Sequence, residues 1–319
     1  MKQPSAEIPI INELVNHIFP TRPLRVERVM EGVSTHVYRI VFQRETCYLR
    51  VLPEEGASFA PEVVAHRLLR HLQANVPEVI YFDHCYEPLQ QSVMVTTEVK
   101  GLPISQSSEL RQEELESIVI EAGRDMARIN SVKVEGFGWV KRDLSDTEHI
   151  CAEWATDRTF MLERWKTDLA YLGEHILDTL EVAILEGIRE RYDYLLEGEQ
   201  AYLAHGDFDT THIFQENGRY TGIIDFGEMR GTNRWYDLGH FHMRDEEYIS
   251  YSQMTALVRG YSEIVSLPAN YEQAIRFASI LINVRALVRS LQKRPPDRFT
   301  QHQVKRLRGD MALLSIGAS

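Results

Sequence analysis

The chain has 319 residues, 44% of them hydrophobic and 26% charged, so it can bury a core and is not disordered by composition. Its formal net charge of −12 argues against nonspecific nucleic-acid binding, which needs a basic surface. No apolar run approaches the roughly 20 residues of a membrane helix, residues 1–7 lack a signal-peptide apolar region, and Cys47, Cys85 and Cys151 match no metal or redox spacing, so a reduced, cytoplasmic setting is expected.

Ile8, Ile11, Leu14, Val15 and Ile18 recur at helical spacing, which predicts an amphipathic helix ended by Pro20 and Pro23. Residues 24–30, 37–42 and 46–52 read as strands rich in Val, Ile, Tyr and Phe. Residues 59–73 read as a helix, with Pro61 near its start, where proline is tolerated. Strands at 79–83 and 92–99 complete a five-strand pattern. The link between the second and third strands is too tight for a parallel crossover, so the sheet is antiparallel.

Beyond Lys100 the pattern turns helical, with helices expected over 109–130, 157–174, 178–196, 252–265, 271–292 and 300–314. Only residues 201–226 interrupt them, with short apolar strands around Ile213 and Ile223-Ile224; Asn217-Gly218 between them is a strong hairpin signal. The expectation is an α+β chain, with a small antiparallel-sheet lobe over 1–100, a hinge near residue 100 and a larger, mostly helical lobe over 101–319. Residues 101–200 hold 22 Asp/Glu against 11 Lys/Arg. Lining a concave surface, these acids would attract a cationic small molecule; otherwise they are the solvated faces of long helices.

The most informative segment runs from Leu203 to Phe214 and resumes at Ile223. Asp207, His212 five residues later, and Asp225 before Phe226-Gly227 have the layout of a kinase-type phosphoryl-transfer site. There one acid receives the acceptor hydroxyl's proton and two later residues hold magnesium on the nucleotide phosphates. Asp207 ends a short apolar stretch in a turn and is the candidate catalytic acid/base. Asp225 follows two β-branched residues and is expected on a buried strand end, where a divalent cation, a helix N-terminus or a Lys/Arg would compensate it. His205 reads as an architectural bridge.

His212 stands where such sites carry Asn. Magnesium favours oxygen ligands, whereas manganese tolerates nitrogen. Three outcomes are open: a single-metal or Mn²⁺-favouring kinase, a protein that transfers slowly or binds no nucleotide, or an imidazolium that touches a phosphate oxygen.

The small lobe should supply the nucleotide grip. Gly32, Ser34 and Thr35 lie between two strands; their backbone N–H groups and hydroxyls either cover phosphate oxygens or form a plain hairpin turn. Arg50, mid-strand between apolar residues, needs an anion, and Glu62 in the next helix is the candidate. The pair either aims Arg50 at the α- and β-phosphates or is a structural salt bridge. Glu98 and Val99 would offer backbone groups to an adenine or guanine edge.

These residues, in this order, resemble the aminoglycoside phosphotransferase and choline kinase-like superfamily, including its hygromycin-phosphotransferase branch. The resemblance runs from Gly32 to about Gly239. It takes in Gly136 to Trp139, a segment seen after the long helix, and Tyr236 to Gly239, which looks like the family's Tyr-Asp-Leu-Ala element with a structural acid bracing the catalytic loop. It implies a bilobal protein-kinase-like fold and transfer of the γ-phosphate of ATP or GTP, with Mg²⁺ or Mn²⁺, to a small hydroxylated acceptor, cationic if the acidic half lines its site. Within it Asp207 is the acid/base, Asp225 the principal metal ligand with His212 the second, and Arg50 and Glu62 the phosphate-orienting pair. Asn233 departs from a family Asp, so its loop would be held by different bonds. Asp209 reads as a solvated loop residue, with acceptor recognition or metal binding as its other roles.

Two further classes compete. One is a catalytically weakened nucleotide-binding or regulatory protein of the same fold, suggested by His212. The other is a metal-dependent hydrolase built on His205, Asp207, His212, His240 and His242, with His240 and His242 spaced as strand ligands. No nucleic-acid or membrane partner is expected, and both a monomer and a homodimer are compatible with the sequence.

Overall fold

The computed structural model describes residues 7–30, 35–143 and 148–316. The chain forms two compact units, Met1–Val99 with Lys141–Ile150, and Lys100–Val140 with Cys151–Ser319. The return of residues 141–143 and 148–150 to the first unit has no local sequence signal. It is held there in part by the Ser58 N–H, which donates to the Arg142 carbonyl at 2.6 Å.

The first unit contains α1 (Glu7–Ile18), β1 (Arg25–Val29), β2 (His36–Val41), β3 (Thr46–Val51), α2 (Ala60–His71), β4 (Val79–Tyr86) and β5 (Gln91–Thr97). Its strands form one antiparallel sheet in the order β1-β2-β3-β5-β4. Side-chain alternation assigns the two faces. Leu49 and Val51 of β3 and Val93 and Val95 of β5 pack with Ile11, Leu14 and Val15 of α1. Met94 faces the other way and packs with Phe59 and Val63 at the start of α2. Arg50 pairs with Met94 across the ladder, so it too points to the α2 side. The strand's period of two thus puts a cation among apolar neighbours next to the helix that carries Glu62.

The second unit opens with β6 (Leu102–Pro103), α3 (Gln112–Ile129), β7 (Lys133–Val134), β8 (Phe137–Val140) and β9 (Ala152–Trp154). There follow α4 (Asp157–Leu162), α5 (Trp165–His175), α6 (Thr179–Tyr192), β10 (Ala201–Ala204), β11 (Ile213–Glu216), β12 (Arg219–Ile223) and β13 (Arg230–Thr232). Four helices close it: α7 (Trp235–Arg244), α8 (Met254–Ser262), α9 (Tyr271–Lys293) and α10 (Arg298–Ile316). Two small sheets, β7-β10-β13-β8-β9 and β12-β11-β6, sit among the helices. The apolar core joins α5, α6, α9 and α10 around Leu172, Leu185, Ile280, Leu287 and Leu307.

Two helices differ from expectation. The helix expected over 157–174 is two, divided where Arg164 leaves helical geometry at φ −115 and ψ 6. His240 and His242, spaced as strand ligands in sequence, lie in a helix, α7. Many acids of the acidic half are engaged in ion pairs, some local and some distant in sequence: Glu121 and Asp125 pair with Arg124 and Arg128 on α3, Asp168 with Arg285, and Glu181 with Arg308. Among the described residues no helix is long and apolar enough to cross a membrane.

Candidate active site

Asp207 lies just past the end of β10, which is zipped antiparallel to β13. Gly206 turns the chain at φ +88, and a Cβ there would fall 1.8 Å from the Glu228 carbonyl oxygen, so only glycine fits. The turn is clamped from α7. Buried Asp237 accepts from the N–H groups of His205 at 2.8 Å and Gly206 at 2.9 Å, and from Asn130 Nδ2 at 2.9 Å. Arg230, sandwiched between Trp139 and Tyr236, donates to the carbonyls of Gly206 at 2.8 Å and Glu228 at 2.7 Å. Asp237 was legible in the sequence as a bracing acid. Asn130 and Arg230 were not, since each acts through a contact more than twenty residues away.

The β11–β12 hairpin brings the other two candidates together. Its turn residues Asn217 and Gly218 both have positive φ, 53° and 73°, the primed-turn geometry that Asn-Gly favours. Ile213 pairs with Ile223, and the Ile224 N–H donates to the His212 carbonyl at 3.2 Å. His212 and Asp225 therefore leave the hairpin side by side, with Nε2 3.8 Å from Asp225 Oδ2. Asp225 does not sit on a buried strand end. It adopts a left-handed conformation (φ 69, ψ 70), one residue past Ile224, and its side chain is 54% exposed. Backbone strain of about 1–3 kcal/mol is characteristic of functional positions, and Asp tolerates this region because its carboxylate bonds locally, here to the Gly227 N–H.

His205 is architectural. It is fully buried; its Nε2–H donates to the Ile224 carbonyl at 2.9 Å, and Nδ1 accepts from the Asp207 N–H. Burial, followed by the charge of His212, lowers its pKa and keeps it neutral. It thus links the Asp207 loop to the residue before Asp225. His212 behaves oppositely. Nδ1–H donates to the Asp207 carbonyl at 2.7 Å, which leaves Nε2 facing Asp225. Burial opposes its charge, but Asp209, Asp207 and Asp225 outweigh burial and raise its pKa.

The Asp207 side chain is 43% exposed, with Oδ1 3.4 Å from His240 Nε2 and Oδ2 4.0 Å from His212 Nδ1. Burial would raise its pKa, but His240, then His212 and His205, hold it below the ordinary aspartate value. It is a carboxylate at neutral pH, able to orient a hydroxyl and receive its proton. Asp209 is buried, not solvated as expected. Oδ1 accepts from the Thr211 N–H at 2.7 Å, and Oδ2 lies 3.2 Å from Arg244 Nε. Asp207, Asp209 and His212 present ligand atoms within 4.8 Å of one another, but both Asp209 oxygens are already engaged.

His240 and His242 diverge, as two residues in a helix must at about 200° of rotation. His240 faces Asp207, whereas His242 bonds Asp310 at 2.9 Å. His242 therefore does not join His205, His212 and His240 around Asp207, and the five-residue hydrolase set is not brought together. The Asn233 loop is held by Asp157, which is fully buried and accepts from Thr232 Oγ1 at 2.9 Å and from Asn233 Nδ2.

In the first unit, Arg50 Nη1 donates to Glu62 Oε1, and the guanidinium stacks 5.0 Å from the Phe59 ring. Burial pushes the Glu62 carboxyl up, but Arg50, with help from His66, overcomes this and holds it at about 2. The Glu98 side chain meets Arg39 and Tyr48, and its N–H is already donated to the Thr46 carbonyl at 3.2 Å. Only its carbonyl and the neighbouring Val99 could therefore serve a base edge. Thr35 precedes β2, while Gly32 and Ser34 lie outside the described residues.

The structure resembles several solved aminoglycoside phosphotransferases. A thermostable APH(4)-Ia in ternary complex with ADP and hygromycin B has a TM-score of 0.65 at 16% identity, covering 97% of this chain and 99% of that one. The GDP and kanamycin complex of APH(2")-IIIa has a TM-score of 0.59 at 15% identity, with 95% and 99% covered. These likenesses establish the α+β kinase-like fold. In sequence, the chain is 22% identical to an aminoglycoside 3'-phosphotransferase of Enterococcus faecalis over 219 residues, 65% of this chain and 75% of the relative. The family model described as "Phosphotransferase enzyme family" matches residues 25–310. The chain belongs to the phosphotransferase enzyme family.

Proposed function

We propose that the protein is a small-molecule O-phosphotransferase that moves the γ-phosphate of ATP or GTP to a hydroxyl of a small acceptor. One observation carries this reading: a half-exposed, ionised Asp207 sits in a loop braced at four points, and His205 and His212 tie that loop to the segment that carries Asp225. Rigid placement of an ionised acid is the protein's main contribution to phosphoryl transfer, which asks for orientation and charge stabilisation. Asp207 would take the acceptor hydroxyl's proton while the acceptor oxygen bonds Pγ and the bond from Pγ to the bridging oxygen breaks, releasing the nucleoside diphosphate.

Asp225 and His212 are the proposed holders of Mg²⁺ or Mn²⁺. Their donor atoms, 3.8 Å apart, are close enough to share one ion, provided Nε2 is unprotonated. A bound ion would neutralise charge on the phosphates. Arg50, held by Glu62, is assigned to the α- and β-phosphates; Gly32, Ser34 and Thr35 to the outer phosphates; the Glu98 carbonyl and Val99 to the base edge. The structural neighbours bind hygromycin B and kanamycin, which supports a hydroxylated and cationic acceptor.

Turnover of ATP and GTP with Mg²⁺ or Mn²⁺, screened over aminoglycosides, amino sugars and choline-like amines, tests the reading. Asp207→Ala should abolish transfer while leaving nucleotide-induced thermal stabilisation nearly intact; surviving transfer overturns it. A second reading, a weakened nucleotide-binding protein, is favoured by the three aspartates around His212, which raise its pKa and so disfavour the free lone pair that a metal ion needs.

A further inference from the structure

His240 takes no part in the layout described so far, yet its ring reaches the loop at two places. Nδ1 lies 3.2 Å from the Phe208 carbonyl, to which it donates, and Nε2 lies 3.4 Å from Asp207 Oδ1. The residue is buried at 7% exposure, and its helix is a fixed platform, because α9 packs so close to Gly239 that a Cβ there would fall 2.7 Å from Ala278 Cβ. Asp237 and His240, three residues apart, share one face of α7. That face therefore meets the loop along its length: Asp237 takes the N–H groups of His205 and Gly206, and His240 donates to the Phe208 carbonyl with Nε2 facing the Asp207 side chain.

The two carboxylate oxygens of Asp207 are not equivalent. The His212 proton nearest Oδ2 is spent on the Asp207 carbonyl, so Oδ2 has no hydrogen-bond partner among the described residues. Nδ1 of His240 carries the proton given to Phe208, and a ring pinned there points its other nitrogen, Nε2, at Oδ1. The 3.4 Å separation is longer than a formed charge-assisted bond of about 2.8 Å, as such contacts commonly are before substrate arrives.

We infer that His240 is a positioning residue for Asp207: pinned to the Phe208 carbonyl, it fixes Oδ1 through Nε2 and leaves Oδ2 to meet the acceptor hydroxyl. This rests on the proposed acid/base role of Asp207. Three variants separate the contacts. His240→Leu removes both. His240→Asn can still reach Phe208 but not Asp207. His240→Gln can place an N–H near Oδ1.

The readout is kcat and KM for ATP consumption with Mg²⁺ or Mn²⁺, using hygromycin B, kanamycin or water as acceptor. Leu and Asn should lower kcat about 10- to 100-fold with KM for ATP unchanged, and Gln should recover most of it. Unchanged kcat in Leu, or rescue by Asn and not by Gln, overturns the inference. Asp207→Asn is run in parallel: if it turns over normally, the role of Asp207 has failed instead. Histidine ¹⁵N resonances give a readout independent of turnover. Asp207→Asn should move the His240 Nε2 signal while Nδ1 stays, and an unmoved Nε2 signal overturns the inference in an inactive protein too.

Discussion

Asp157 offers a quantitative test of how the loop after Asp225 is held. Its carboxylate is fully buried, and its partners Thr232 and Asn233 are neutral. Burial is the largest influence and pushes its pKa from 3.8 to about 6, against the lowering effect of those hydrogen bonds. In this window the folded state keeps a proton that the unfolded state has lost. The associated stability is thus full below pH 4, declines above it and is gone once the pH passes about 6. A shift of roughly 2 units at about 1.4 kcal/mol each corresponds to about 3 kcal/mol. Asp157→Asn removes the ionisation but can keep both bonds, because the Thr232 hydroxyl can turn to accept from the new amide while the amide oxygen takes Asn233. Urea unfolding of both proteins at several pH values is the assay. The variant should match wild type near pH 4 and exceed it by up to about 3 kcal/mol at pH 8. Parallel curves would show that Asp157 does not carry a buried charge, and the reasoning would fail.

Glu62→Gln should have the opposite pH signature. With its pKa held at about 2, Glu62 contributes stability that is full above pH 4.5 and is lost as pH falls toward 2. The variant should lose about 3 kcal/mol at neutral pH, with the gap closing in acid, and its KM for ATP should rise. Equal melting temperatures at pH 7 would contradict this. Gly206→Ala should cost at least about 1–2 kcal/mol for the left-handed backbone alone and more from the clash at Glu228, with turnover lost; a stable, active variant would refute the close approach. Because its neighbours favour protonated His212, wild-type protein with ADP should bind Mn²⁺ more tightly at pH 8 than at pH 6 in an EPR titration. His212→Asn should flatten that dependence and improve Mg²⁺-supported turnover; pH-independent binding by wild type would remove the imidazole from the metal site.

What could be read in advance depended on distance along the chain. The Arg50–Glu62 pair was legible because strand alternation and helix position are local, and twelve residues separate the partners. The hairpin aligning His212 with Asp225 was legible for the same reason, since Asn217-Gly218 demands its turn. Asp225 itself was misplaced: two β-branched neighbours suggest burial, yet the strand ends at Ile223 and the chain turns left-handed. Asp209 was taken for a solvated loop acid because nothing nearby in sequence announces Arg244.

The sequence alone determined the alternating sheet, the hairpin and the order of chemistry-bearing residues, all properties of short-range periodicity and turn preference. Only the tertiary structure decided which groups meet across the second unit. A helix at 235–244 turns His240 toward Asp207 and sends His242 to Asp310, and a chain reversal brings Asp157 to Asn233. Such contacts join residues tens of positions apart and depend on which polar and charged groups the packed interior brings within hydrogen-bond reach, which no local pattern records.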